Sequence, residues 1–169
     1  MDTTIFTETQ HFEFYHVLII AAVGALVFFC MFKFRDKGGK PMNTLIGKAV
    51  IYTLAALPIP IAILFWIMAL QTNINDSGIA VKFYPFHQEW RMYEWKDIKS
   101  CKVKKYHPVH DYGGYGVRGK AYNISGDMGL FIRFNNGSHF LIGTQKPEEL
   151  EKALIMAGRI KAEDKFVSE

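Results

Sequence analysis

Apolar and polar positions divide this chain into two regions of different periodicity. Before position 71, apolar residues form two long runs, at 14–32 and 49–70, and the second holds twenty-two residues without one charged side chain. At a rise of ~1.5 Å per residue, a helix of that length crosses a hydrocarbon core of ~30 Å. The pattern therefore predicts an N-terminal segment and a two-helix transmembrane hairpin within residues 1–70.

The residues between the two runs suggest how such a hairpin would be oriented. Residues 33–48 carry five Lys and Arg against one Asp, and the GGKP sequence at 38–41 favours a turn. Basic residues in short loops mark the cytoplasmic side. We therefore expect this loop in the cytoplasm and the C-terminal domain outside, in an inner (cytoplasmic) membrane. Pro58 and Pro60 predict a kink in the second helix.

After position 71 the period changes from helical to alternating, which is typical of strands. Ile79, Val81 and Phe83 recur at every second position. Further strands are predicted at 89–94, 98–106, 120–125, 129–134 and 138–143, with Trp90 and Met92 facing inward in the first of these and a hairpin turn at Asn136-Gly137.

The last apolar pattern is that of an amphipathic helix. Pro147 stands at its start, acidic residues fill its first turn, and apolar residues follow at 150, 153, 154, 157 and 160. About seven short strands followed by one helix is the element order of a pleckstrin-homology-like barrel. The fold class predicted for the whole chain is a membrane helical hairpin at 1–70 and, at 71–169, a mostly-β barrel with a C-terminal capping helix.

Charge and cysteine content exclude several classes of protein. After position 71 there are fifteen Lys and Arg against twelve Asp and Glu, a balance of +3, which is too weak and too dispersed for a nucleic-acid-binding surface. Cys30 and Cys101 lie in different regions, so neither a disulfide framework nor a CxxC metal site is expected. We predict no cofactor and no nucleic-acid partner.

Two segments of the C-terminal region resemble a known group of proteins. YPFHQEWRMYEWKDIKSCKVKKYHP, at 84–108, and DYGGYGVRGKAYNISGDMGLFIRFNNGSHFLIGTQKPEEL, at 111–150, are similar to small bacterial two-pass membrane proteins with a pleckstrin-homology-like domain. The group is largely uncharacterised, so the resemblance implies a fold and membrane attachment but no catalytic residues. Many such proteins hold the domain in the cytoplasm, which is the alternative to the orientation favoured by charge.

A glycine-rich loop is the most unusual local feature. Its backbone amides could approach a ligand closely, and its two cations could complement a phosphate or carboxylate. The alternative is a structural loop whose glycines make turns and whose tyrosines pack against the barrel. The candidate ligand or partner residues are Tyr112, Gly113, Gly114, Tyr115, Gly116, Arg118 and Lys120.

Other reactive side chains do not form a convincing site. His107, His110 and Asp111 lie around Pro108, which favours an extended backbone, and a structural zinc site needs four ligands. Cys101 lies among lysines on an alternating strand, where a core position is expected. We predict no catalytic residue and no metal site.

The sequence thus predicts a non-enzymatic, membrane-anchored module that acts as an accessory or scaffolding subunit of a membrane protein complex. Its expected partners are the lipid bilayer and either an integral membrane protein or further copies of itself. The alternative function is binding of a lipid headgroup or another anionic small molecule through the glycine-rich loop.

Overall fold

The computed structural model describes residues 3–35 and 45–160. The chain divides into a β unit, Met1–His11 with Met68–Glu169, and a helical unit, Phe12–Ile67. The described elements, together with a 3₁₀ turn at Trp95–Asp97, are β1 Thr4–His11, α1 Phe14–Arg35, α2 Leu45–Ala56, α3 Pro58–Ile67, β2 Ala69–Asn75, β3 Gly78–Tyr84, β4 Arg91–Glu94, β5 Ile98–Lys105, α4 Pro108–Tyr112, β6 Gly116–Arg118, β7 Ala121–Asn123, β8 Met128–Phe134, β9 His139–Gly143 and α5 Pro147–Met156.

The helical unit is built from α1, α2 and α3. The predicted kink at Pro58 and Pro60 is a complete break, because α2 ends at Ala56 and Pro58 begins α3. A proline is tolerated as the first helical residue, since the amide that it lacks has no partner there. The helix α1 packs closely on this break: a Cβ atom added at Gly24 would lie 2.7 Å from Cγ of Pro58.

The predicted membrane hairpin does not match these helices. The run at 49–70 is divided between α2, of twelve residues, α3, of ten, and the start of β2. Within residues 3–35 and 45–160, no helix combines the length and apolar character needed to cross a bilayer. This finding contradicts the predicted two-helix anchor and, with it, the predicted inner-membrane location in either orientation. The predicted turn at 38–41 lies outside the described residues.

The β unit contains two sheets instead of the predicted closed barrel. One sheet has the strand order β1-β2-β3-β4, and the other has the order β5-β8-β9-β7-β6. Among the described strands, no hydrogen-bonded pair joins one sheet to the other. The barrel prediction is therefore wrong, and the fold is a mixed α/β arrangement. The β unit also includes β1, which precedes the helical unit in the sequence and pairs with β2.

The first sheet is wholly antiparallel, and its inward face is formed by rows of paired residues. Directly opposite residues in an antiparallel sheet point to the same face. The buried rows combine apolar with polar side chains: Phe6, Ile74 and Ile79; Glu8, Thr72 and Val81; Gln10, Leu70 and Phe83. Two of the three positions that β1 contributes are therefore polar.

The second sheet contributes mainly apolar rows, and its strands are antiparallel apart from the parallel pair β7 and β9. The buried rows are Cys101, Ile132 and Phe140, and Val103, Leu130 and Ile142. Aromatic pairs connect the two sheets: the ring centroids of Tyr93 and Phe140 are 5.4 Å apart, and those of Phe83 and Tyr122 are 6.2 Å apart.

The C-terminal helix α5 covers one side of the β unit. It contacts β1 and β5, which are edge strands of the two different sheets. Leu150, Ala153 and Leu154 are its buried apolar residues, at positions predicted from the helical period. The helix α5 therefore buries apolar side chains against edge strands of both sheets, between which no described strands are hydrogen-bonded.

The orientation predicted for the strand at 89–94 is wrong. The register of β3 and β4 places Val81 opposite Arg91 and Ala80 opposite Met92. Val81 faces the core, so Arg91 lies on the inner side of the sheet, although on this edge strand its side chain is exposed, as are those of Trp90 and Met92. Since strand side chains alternate, a register that differs by one residue exchanges every inward and outward position.

Candidate functional site

The predicted binding loop, residues 112–120, runs from the end of α4 through β6 to β7. The helix α4 is capped by Gly113, with φ at 72°, and Gly114 and Gly116 both have φ at 114°. Glycine adopts positive φ without the steric cost that a side chain imposes. These three glycines are therefore needed for the path of the chain, independently of any ligand.

The amides of these glycines already have partners. Gly113 N donates to Val109 O at 3.0 Å, and Gly114 N donates to Pro108 O at 2.8 Å. Gly116 N donates to Oδ1 of the buried Asn123 at 3.0 Å. An amide that donates within the protein has no second hydrogen for a bound anion. Three of the donors expected to surround an anion are therefore directed inward.

The two cations of the loop differ in their surroundings. Nη2 of Arg118 donates to Gly113 O at 2.9 Å, so the guanidinium closes the loop on itself. Lys120 is exposed, and its carbonyl oxygen accepts a hydrogen bond from Leu141 N at 2.9 Å. The structure thus connects Arg118 with one of the predicted glycines.

The tyrosines of the loop contact the β unit. The hydroxyl of Tyr115 donates to Gly126 O at 3.2 Å. The ring of Tyr112 packs edge-on against buried Tyr106, with centroids 5.8 Å apart. Burial, followed by the charge of Asp111, raises the pKa of Tyr112 above its ordinary value. These contacts attach both tyrosines to the β unit.

Of the two histidines next to this loop, His110 lies in the short helix α4 instead of the predicted extended segment, and His107 is the extended residue that precedes the helix. Pro108 is the first residue of α4, where its missing amide has no cost. Asp111 Oδ2 accepts a hydrogen bond from His107 N, and Asp111 N donates to His107 O, each at 2.9 Å. Within the described ranges, no three His, Cys, Asp or Glu side chains are grouped closely enough to hold a metal ion.

Cys101 is buried on β5, as its position on an alternating strand predicted. Burial raises the pKa of its thiol from 9.0 to about 11, and the positive charge of Arg159 opposes this only partly. The thiol is therefore protonated at neutral pH, whereas a thiolate is the nucleophilic form.

A surface pocket that the sequence did not indicate lies in the segment between β3 and β4. Its volume is about 370 Å³. Two large aromatic side chains, Phe86 and Trp90, are 57% and 47% exposed there. The complete lining is Phe86, His87, Gln88, Glu89, Trp90 and Arg91. Four of these six residues are polar or charged, so Phe86 and Trp90 supply the apolar wall of a mostly polar pocket.

The cation of this pocket is held by a buried tyrosine. Nη1 of Arg91 donates to the hydroxyl oxygen of Tyr122 at 2.5 Å, and Tyr122 is 2% exposed. In the part of the chain that the structure describes, no carboxylate lies within ion-pair distance of Arg91. The exposed guanidinium of Arg91 is thus engaged by a neutral hydroxyl group and by no carboxylate of the described residues.

A neutral histidine lies beside this arginine. The ring centroid of His87 is 5.2 Å from that of Tyr122, and Nδ1 of His87 is buried without a hydrogen-bond partner among the described residues. Burial, and then the charge of Arg91, lowers the pKa of His87 below 6.5. At neutral pH this imidazole is uncharged and can donate one hydrogen bond and accept another.

No local motif could have revealed this arrangement. Arg91 and Tyr122 are 31 residues apart, in different sheets, and are brought together by the packing of one sheet on the other. The sequence signal available was the mixture of aromatic and charged residues in HQEWR, which matches no binding fingerprint.

The helical unit exposes a second kind of candidate surface. Eighteen large apolar side chains are exposed along its described part, at positions from Phe14 to Ile67. Leu26 on α1 is 61% exposed, and Ile63 on α3 is 56% exposed. Apolar patches of this extent mark interaction sites in proteins.

No family model matches the chain, and no curated protein matches it. The resemblance to small bacterial proteins with a pleckstrin-homology-like domain therefore stays a prediction.

Proposed function

We propose that this chain is a non-enzymatic accessory or scaffolding subunit, which binds a partner protein through the apolar side chains of its helical unit. The observation that carries the proposal is the exposure of eighteen large apolar side chains on the described part of that unit. Scattered exposed apolar residues are ordinary, but a continuous concentration of them favours a binding surface.

The size of the apolar surface is sufficient for stable association. Full burial of one such side chain contributes ~1.5–3 kcal/mol, and side chains that are already half-buried contribute about half of that. Association costs ~4–15 kcal/mol in lost translational and rotational freedom. At roughly 1 kcal/mol for each such half-buried side chain, about four to fifteen of the eighteen exposed side chains would offset this cost.

The partner that fits is a protein with apolar helices of its own. The helical unit has apolar residues on all sides and few charged ones: Lys33, Arg35 and Lys48 are its basic residues within the described ranges. A partner would therefore recognise the shape and the apolar area of this surface, and not its charge. A second copy of this chain and an integral membrane protein both meet that requirement.

The alternative function, anion binding by the glycine-rich loop, has less support from the geometry. Gly113, Gly114 and Gly116 direct their amides inward, and Arg118 is engaged by a carbonyl group of the same loop. Nη2 of Arg118 would have to release the carbonyl oxygen of Gly113 before it could donate to an anion. A scaffolding role makes no such demand on the loop.

Photo-crosslinking of the tagged full chain in its own cells tests the proposal. A photoreactive residue is placed at Leu26 or at Ile63, and a matched control is placed at Lys102, which is exposed on β5. We expect a discrete adduct from the two helical positions and none of the same mass from Lys102. A mass of two chains identifies a homo-oligomer, and any other reproducible mass identifies a different protein.

A polar double variant supplies the second part of this test. Made in a Trp66→Phe background, so that the remaining tryptophans Trp90 and Trp95 both lie in the β unit, Leu26→Gln with Ile63→Gln should abolish co-purification of the crosslinked partner and leave the near-ultraviolet tryptophan signal unchanged. Absence of adducts from both helical positions, or co-purification that the double variant does not reduce, would overturn the proposal.

A further inference from the structure

We propose that the pocket formed by residues 86–91 binds a carboxylate attached to an aromatic or large apolar group. This assignment is independent of the scaffolding role and concerns the β unit alone. The pocket is lined along one continuous segment between β3 and β4, and its volume of about 370 Å³ lies in the range of small-ligand sites.

Arg91 is the group that recognises the carboxylate. The guanidinium carries five N–H donors in a planar fork, and Tyr122 engages Nη1 at 2.5 Å. The remaining nitrogens keep donors for a carboxylate, which accepts two parallel hydrogen bonds from such a fork. Tyr122 is buried and is packed edge-on against Phe140 at 4.8 Å, so it holds the fork in one orientation.

His87 adds a polar contact without adding charge. Its Nδ1 is buried and lacks a hydrogen-bond partner among the described residues, and its backbone N donates to Phe83 O at 2.8 Å. The backbone bond fixes the position of the residue at the end of β3. His87 lines the pocket, and because burial and the charge of Arg91 lower its pKa, its imidazole adds no second positive charge to that of Arg91.

The aromatic residues provide the site for the apolar group. Phe86 and Trp90 are more exposed than aromatic side chains of a folded core, and both line the pocket. Phe86 also contacts the buried ring of Phe83, with centroids 6.0 Å apart. An aromatic or large aliphatic group placed between them would remove apolar surface from water on both sides.

The negative charge of Glu89 repels an anionic ligand, so replacing Glu89 gives a further test of the proposed carboxylate site. Its side chain is exposed and also lines the pocket. A like charge at an exposed position weakens binding, by up to about fivefold at low salt. Glu89→Gln should thus tighten binding of the carboxylate, whereas a site that binds through apolar contacts alone would be indifferent to this change.

Two sources could supply such a carboxylate: a free small acid, or the C-terminal residue of a peptide. The probes are N-acetylphenylalanine and the peptide acetyl-Ala-Ala-Phe with a free C-terminus, each titrated into the full chain and followed by calorimetry and by Trp90 fluorescence. N-acetylphenylalanine amide lacks the charge, and acetate lacks the ring. Saturable binding of the small acid alone assigns the site to free metabolites, and binding of the peptide alone assigns it to chain ends.

Three variants and one matched control distinguish this site from nonspecific binding. Arg91→Gln should weaken binding about tenfold or more, because it removes charge-assisted hydrogen bonds. Trp90→Ala should also weaken it, and since Trp90 is exposed the fold should tolerate that change. Arg133→Gln is the matched control, since Arg133 is an exposed arginine of β8 outside the pocket. Tyr122→Phe tests whether the Tyr122 hydroxyl holds the guanidinium of Arg91. It should weaken binding of the acid more than binding of the amide.

The proposal is overturned by any of three results. These are no saturable binding of either acid up to roughly 10 mM, binding of the amide as tight as that of the acid, and binding that neither Arg91→Gln nor Trp90→Ala reduces relative to Arg133→Gln. Near-ultraviolet circular dichroism of Arg91→Gln confirms that a loss of binding is not a loss of folding, and Trp90→Ala decides the matter if that variant is unfolded.

Discussion

The carboxylate of Glu8 accepts a hydrogen bond from the hydroxyl of Thr144, 2.7 Å away across 136 residues of sequence. Both side chains are buried. The second carboxylate oxygen accepts Gln145 N at 2.8 Å, and the Thr144 hydroxyl accepts Lys146 N at 3.0 Å. A residue of the N-terminal strand β1 therefore fixes the segment that leads from β9 into α5.

Glu8→Ala should destabilise the β unit by about 1–3 kcal/mol, because it leaves the buried hydroxyl of Thr144 and the partly buried amide of Gln145 without their acceptor. Urea unfolding of the full chain, followed by tryptophan fluorescence, measures this loss. Thr7→Ala is the matched control on the exposed side of the same strand and should change the free energy of unfolding by less than about 0.5 kcal/mol. Equal effects of the two variants would refute the role of Glu8.

The contribution of β1 could not have been predicted from the pattern of the sequence. Its inward residues are Phe6, Glu8 and Gln10, so the strand has one apolar position where an alternating pattern needs three. Polar side chains are accepted inward here because tertiary partners engage them. Glu8 accepts a hydrogen bond from Thr144, and Nε2 of Gln10 donates to Gly143 O at 2.6 Å, while Oε1 of Gln10 has no partner among the described residues. Those partners are more than 130 residues away.

Strands with strong alternation were predictable. The segments predicted at 98–106, 129–134 and 138–143 correspond to β5, β8 and β9, and Gly137 has the positive φ, 83°, expected for the Asn136-Gly137 turn. Local patterning and turn chemistry agree there. Composition could not predict which side chains of β4 lie on the inner face of the sheet. The register of β4 on β3 places Arg91 on the same face as the buried Val81 and the more apolar Met92 on the opposite face.

The candidate sites, like β1 and β4, could be predicted from the sequence only where they depend on local pattern. The glycine-rich loop was visible in the sequence, and its glycines do have the positive φ values that make glycine necessary. Whether its amides face a ligand depends on partners such as Asn123, which no periodicity reveals. The pocket around Arg91 depends on Tyr122 from the other sheet and could emerge only from the packing of the two sheets.

Two glycines should respond in opposite ways to substitution by alanine. A Cβ atom at Gly78 would lie 2.2 Å from the carbonyl oxygen of Tyr93, which is backbone of the paired strand and cannot move without disrupting β4. Gly78→Ala should therefore cost about 2–4 kcal/mol. A Cβ atom at Gly119 meets no atom within 4 Å, and its φ is not positive. Gly119→Ala should be neutral or stabilise by about 0.4–1 kcal/mol, through the unfolded chain.

Thermal unfolding of the two alanine variants in parallel measures this contrast. Gly78→Ala should also loosen the neighbourhood of Trp95, whose backbone N donates to Ser77 O at 3.2 Å, and so change its fluorescence. If both variants unfold within a degree or two of the unmodified chain, the close approach of β3 and β4 is not as described.

The amides of the glycine-rich loop should exchange slowly with solvent despite their position at the surface. Gly113, Gly114 and Gly116 donate to Val109 O, Pro108 O and Asn123 Oδ1. Hydrogen exchange requires that these bonds open, so we expect protection of at least about tenfold over an open loop.

A variant of the acceptor isolates one of these bonds. Asn123→Ala should raise the exchange rate of the Gly116 amide while those of Gly113 and Gly114 keep their rates, since their acceptors are carbonyls of α4. The measurement is hydrogen exchange followed by NMR. Free exchange of all three amides in the unmodified chain would instead favour an open loop, whose donors could surround an anion.

The two cysteines should differ in their reaction with a thiol reagent at neutral pH. Cys30 is exposed and Cys101 is buried. Burial raises the pKa of the Cys101 thiol to about 11, so the reactive thiolate is scarce as well as inaccessible. One thiol per chain should react quickly in the folded protein, and the second only after unfolding. Cys30→Ser should abolish the fast phase, and a fast phase that Cys101→Ser abolishes instead would contradict the burial of β5.

The same burial makes stability depend on pH in the alkaline range. Below pH 9 the thiol of Cys101 is protonated in both folded and unfolded chains, so its contribution to stability is fully present. As pH rises from 9.0 towards about 11, the unfolded thiol ionises first and the folded state loses this contribution. Tyr106, whose pKa burial raises from 10.0 to about 12, adds a loss of the same sign at slightly higher pH.

Cys101→Ala separates the thiol from every other group that titrates in this range. The variant should lose less free energy of unfolding between pH 9.0 and about 11 than the unmodified chain does, by on the order of 2 kcal/mol. The constant cost of removing a buried sulfur cancels when each protein is compared with itself at pH 8. Parallel stability curves for the two proteins would show that the thiol ionises as easily in the folded chain as in the unfolded one, which a sulfur buried between β5 and the Arg159 carbonyl cannot do.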